Sequence, residues 1–98
     1  MSNWYTDEVR EFFEAVLTLQ DAEECRCFFE DVCTVKEIRE ISQRLRVARM
    51  LREGASYAAI NTETGVSTAT ISRVSRCLEY GSGGYSLVLE RQEKHDEG

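Results

Sequence analysis

Residues 57–76 read YAAINTETGVSTATISRVSR, and this stretch decides the fold. Two short helical patterns flank a glycine turn, which is the pattern of a helix-turn-helix unit. Gly65 supplies the turn position that tolerates positive φ. Val66, directly after it, tucks under. Ile60 is the buried residue of the first helix, and Ile71 and Val74, three apart, are the buried pair of the second. Two positions depart from the usual motif. Asn61 stands where a small Ala is usual, and Thr64 where an aliphatic residue is usual. Both departures weaken the expected apolar packing of the hairpin.

The outward face of the second helix is then Ser67, Thr68, Ala69, Ser72, Arg73 and Arg76. Small hydroxyls and methyls at its start let a helix enter a major groove, and methyls can meet a thymine methyl. Hydroxyls, N-terminal amides and the arginines suit phosphates, with Arg52 as a further candidate. The rival reading of the same hairpin is a docking surface for another protein.

Working outward, the rest of the chain keeps a helical period. Val9, Phe12, Phe13, Val16 and Leu17 form one face, started by Thr6 with Asp7 and Glu8. Asp21 with Glu24 announces a second helix, whose apolar face is Cys25, Phe28, Phe29 and Val32. Thr34 with Glu37 announces a third, running on Ile38, Ile41, Leu45, Ala48 and Leu51 and stopped by Gly54. At roughly 17–19 residues it spans ~27 Å. Ser56 caps the first helix of the hairpin and Ser67 or Thr68 the second, which closes at Gly81. The run Gly81-Ser82-Gly83-Gly84 reads as a flexible joint. Residues 85–91 fit a short helix or a strand, and residues 92–98 a flexible tail. The expectation is one all-α domain over 1–98, with the helix-turn-helix at about 56–80.

Composition narrows the function. The chain has 98 residues, 42% of them hydrophobic, with no Pro. That is too apolar for disorder and suits helices with short connections. No apolar run is long enough to span a bilayer, and Met1–Arg10 has no secretory pattern, so a cytoplasmic place without membrane contact is expected. The net charge of −6 is uneven. Residues 1–33 hold nine acids against two bases, residues 34–79 eight bases against five acids, and residues 80–98 four acids against two bases. An acidic whole argues against indiscriminate nucleic-acid binding, while the basic middle permits a focused DNA site.

Catalysis has no candidate residues: the single His, His95, lies near the C-terminus, and no phosphate loop follows the glycines. Cys25, Cys27, Cys33 and Cys77 lack zinc spacing and are expected as free thiols. Neither metal nor cofactor is expected.

The run GVSTATISRVSRCL, preceded by QRLRVARMLREGASY, resembles the tryptophan repressor superfamily, in particular its YerC/YecD-type branch. The resemblance covers about residues 9–90 and is densest from Gln43 to Gly84. It implies a bundle of about six helices, an intertwined homodimer, and a repressor that reads double-stranded DNA. Four Phe in the first two helices of so small a chain agree with a partner copy covering them. The family's base contacts carry over to Thr68, Ala69 and Ser72. Its two effector-binding arginines carry over to Arg44 and Arg73, whose guanidinium forks suit a small carboxylate. The next position departs: the repressor has Gly there and this chain has Val74, which crowds a bound indole. A small-molecule effector is therefore an open alternative, and tryptophan fits it poorly.

Overall fold

The computed structural model describes residues 3–97 and contains six helices. They are α1 (Asp7–Val16), α2 (Ala22–Val32), α3 (Val35–Arg52), α4 (Tyr57–Thr64), α5 (Thr68–Tyr80) and α6 (Gly84–Glu97). No strand occurs among the described residues. Met1, Ser2 and Gly98, the last residue of the expected tail, lie outside them.

The helix starts follow from side-chain caps. The Val9 N–H donates to Thr6 Oγ1 (3.3 Å), and the Glu24 N–H donates to Asp21 Oδ1 (2.9 Å). At α3 the capping box is reciprocal: the Thr34 N–H donates to Glu37 Oε1 (2.8 Å) and the Glu37 N–H to Thr34 Oγ1 (3.1 Å). The backbone N–H and then the hydroxyl of Thr34 hold the Glu37 carboxyl below the usual carboxylate range. Ser56 caps α4 and Ser67 caps α5. The end of α3 is a Schellman turn, with Gly54 at φ +88° and the Ala55 N–H donating to the Met50 carbonyl.

The chain, expected as one domain, divides into two compact units, residues 1–38 and 39–98. In the first, Phe12 stacks on Phe28 at 5.9 Å between ring centroids, and Phe29 meets Phe28 edge-on at 5.5 Å. No residue of α1 or α2 is fully buried. Phe12, Phe28 and Phe29 are half-buried while Leu17 stands 82% exposed and Val32 52%, so the apolar faces read from the sequence exist and are only partly covered.

The second unit holds the core. Val47, Ala48, Ile60, Val66, Ile71, Val74 and Leu89 are buried, with Leu45, Leu51, Leu78 and Tyr85 packed against them. In α3 the core residues are Ala48, as expected, and Val47, whereas Ile41 is 52% exposed. Residues 85–91, open between helix and strand, belong to α6. Of the tail expected over 92–98, residues up to Glu97 belong to α6. Long side chains secure it. Arg52 Nε pairs with Glu93 Oε1 (3.1 Å), and Arg49 Nη2 donates to Gln92 Oε1 (2.5 Å). The glycine joint is also a built turn: a Cβ on Gly81 would strike the carbonyl oxygen of Cys77, and Gly83 has φ +84°.

Candidate nucleic-acid interface

The helix-turn-helix expected at about 56–80 comprises α4, a turn over residues 65–67, and α5. Gly65 caps α4 at φ +74°, and its N–H donates to the Asn61 carbonyl (2.8 Å). Ile60, Ile71 and Val74 are at most 1% exposed, and Val66 is 7% exposed. These four residues are the junction that the sequence pattern named.

Asn61 and Thr64 behave differently from the expectation. They do not leave the hairpin loose; they bond its turn. Thr64 Oγ1 donates to the Ile60 carbonyl (2.7 Å) and accepts from the Val66 N–H (3.1 Å). Asn61 Nδ2 donates to the Val66 carbonyl (2.9 Å). The signal was present in the sequence, because Asn and Thr near a helix end favour such side-chain-to-backbone bonds.

Burial of Ile71 and Val74 turns the opposite face of α5 to solvent. Ser67, Thr68, Ala69, Arg73 and Arg76 are exposed, and Ser72 is half-buried at the edge of that face. Ser67 Oγ accepts from the Thr70 N–H (3.3 Å), satisfying one of the first helical amides. The first turn of α5 carries no acid. Among the described residues no carboxylate pairs with Arg73 or Arg76. Arg52 differs, being held by Glu93 and more loosely by Glu90 (3.8 Å), so it is withdrawn from the phosphate candidates.

Arg44 is half-buried. It lines a polar cleft of about 280 Å³ with Glu40, Gln43 and Ser67, and a more apolar one of about 620 Å³ with Leu45, Cys77 and Tyr85. Arg73 lines neither, so neither cleft is shared by the two arginines expected at an effector. Val74 is part of the core. No group of three His, Cys, Asp or Glu side chains that could hold a metal occurs among the described residues, and the four cysteines are free thiols. No described helix is long and apolar enough to cross a membrane.

Comparison with known proteins agrees with this geometry. The family model described as Trp repressor protein matches residues 7–93. The uncharacterized protein YerC of Bacillus subtilis (strain 168) is 57% identical over 84 residues, covering 86% of this chain and 81% of that protein. A TrpR-like protein from Eubacterium eligens superposes with a TM-score of 0.88 at 53% identity, over 91% of this chain and 92% of that one. A candidate Trp repressor from Staphylococcus aureus gives 0.87 at 50% identity, over 90% and 88%. With its motif, its six helices and these relatives in agreement, the chain belongs to the Trp repressor family of helix-turn-helix transcription regulators, in its YerC-type branch.

Proposed function

We propose that this protein is a sequence-specific DNA-binding repressor that acts as a homodimer and occludes a promoter. The observation that carries this reading is the outward face of α5, with small residues at its start and two unpaired arginines beyond them. Thr68, Ala69 and Ser72 meet base edges in the major groove. Ser67, Arg73 and Arg76 meet phosphates and hold the helix in register. The dimer is supported by the first unit, whose aromatic helices bury no residue fully. A two-fold arrangement places two recognition helices in successive major grooves, ~34 Å apart.

Selection of bound duplexes from random DNA at low salt tests the whole reading. The expected product is an inverted repeat with half-sites one helical turn apart. Ser72→Ala is expected to change the preferred base at one position of each half-site. Arg76→Ala is expected to weaken all duplexes alike and to flatten the salt slope by about one unit per protomer. Failure to enrich any duplex sinks the proposal.

Control by a small acid is a second reading, favoured by the apolar cleft that Arg44 lines. It predicts that an aromatic or branched carboxylic acid raises the melting temperature of the parent and leaves Arg44→Ala unmoved. At a ligand concentration of ~100 Kd the stabilisation is about 2.7 kcal/mol. Equal shifts in both proteins would remove Arg44 from any ligand site.

A further inference from the structure

The backbone of Val66 is held on both sides by side chains of α4. Its N–H is bonded by Thr64 Oγ1 and its carbonyl by Asn61 Nδ2, at 3.1 and 2.9 Å. The same Thr64 hydroxyl is anchored on the Ile60 carbonyl, one turn back in α4. Val66 is the only buried residue of the turn, and its side chain sits in the core with Ile60 and Ile71. Its two peptide groups therefore have little access to water and need protein partners. Both partners come from one rigid helix. The direction in which the chain leaves Val66 sets the direction of α5, because Ser67 caps that helix immediately afterwards.

We infer that Asn61 and Thr64 are positioning residues that fix the angle of the recognition helix and thereby set base specificity. This rests on the DNA-reading proposal above. A tilt of about 10° at Val66 moves Ser72, about 9 Å along the helix, by about 1.6 Å. Base-edge hydrogen bonds span ~2.7–3.2 Å and do not survive such a shift. Arginine contacts to phosphates do, because the long side chain follows the phosphate. Loosening the turn therefore costs discrimination and spares general affinity. Neither side chain faces DNA in this role; each acts through Val66.

Fluorescence anisotropy separates the two effects, using the duplex enriched by selection and a scrambled duplex of the same length. Thr64→Val keeps the shape and removes both hydroxyl bonds. Asn61→Ala, at an exposed position, removes the third. Each variant is expected to lower the ratio of specific to scrambled affinity about 10-fold, the scale of one lost base contact, with scrambled affinity within about 2-fold of the parent. Thr64→Ser keeps the hydroxyl and is expected to keep the ratio. The inference is overturned if both variants discriminate as the parent does. It is equally overturned if affinity for both duplexes falls in parallel with the melting temperature, which is the signature of a merely structural role. A parent protein that prefers no duplex overturns the DNA reading itself, and this inference with it.

Discussion

Ile71→Ala is expected to cost about 2–5 kcal/mol of stability, the range for deleting a buried branched side chain that leaves a cavity. Ile71 is fully buried and belongs to a core of only seven buried residues among those described. Its neighbours in that core, Ile60 and Val66, come from α4 and from the turn. They are held by caps and turn bonds at Ser56 and Gly65 and have little freedom to collapse into the gap. For a chain of about this size, 3 kcal/mol corresponds to a melting temperature lower by roughly 12–24 °C. Thermal and urea melts followed by circular dichroism measure it. Ile71→Val grades the effect, at about 0.5–1.5 kcal/mol. Ile41→Ala is the contrast, since that residue is 52% exposed and is expected to change stability by less than about 0.5 kcal/mol. Equal costs at Ile41 and Ile71 would mean that the burial pattern of the second unit is wrong.

The largest functional effect is expected from salt. Binding to the selected duplex should weaken ~10²-fold between 50 and 200 mM salt, the response of about four charged contacts to phosphate. The two exposed arginines of α5 supply such contacts, a dimer doubles them, and the amides at the start of α5 add contacts without charge. The net charge of −6 acts the other way, because salt also screens the repulsion between the acidic remainder of the chain and DNA and so blunts the dependence somewhat. The rival function, a protein adaptor that docks through the same hairpin, relies on apolar contact and should change little over this range. Anisotropy titrations at four salt concentrations separate the two. A flat profile would end the DNA reading and favour the adaptor.

Much of this molecule was legible before any coordinates. Thr6, Asp21, Thr34 with Glu37, and Ser56 read as helix starts and each makes the expected cap, and of the two candidates at α5, Ser67 and Thr68, Ser67 is the cap. Gly54 reads as a helix stop and Gly65 as the hairpin's turn residue, and both have positive φ. Ile60, Val66, Ile71 and Val74 were assigned to the hairpin junction and are buried there. These features involve hydrogen bonds three or four residues apart or one face of a short helix, so the information lies within a turn of the chain.

Other features depended on groups distant in sequence. The triplet Leu87-Val88-Leu89 fits either a helix or a strand by itself, and only Leu89 is buried. The expected tail is helical, and α6 is held through Arg49 and Arg52, about 40 residues earlier. The ion pairs of Arg52 with Glu90 and Glu93 also take it out of the phosphate candidates. Val47 displaced Ile41 from the core, a choice set by which side of α3 the other helices of its unit cover. The starts of α1 to α5, the hairpin and the outward face of α5 follow from the sequence, because local hydrogen bonding and periodicity dictate them. Which apolar side chains are buried and which arginines stay unpaired was left to the tertiary structure, because burial and pairing depend on what the fold brings alongside.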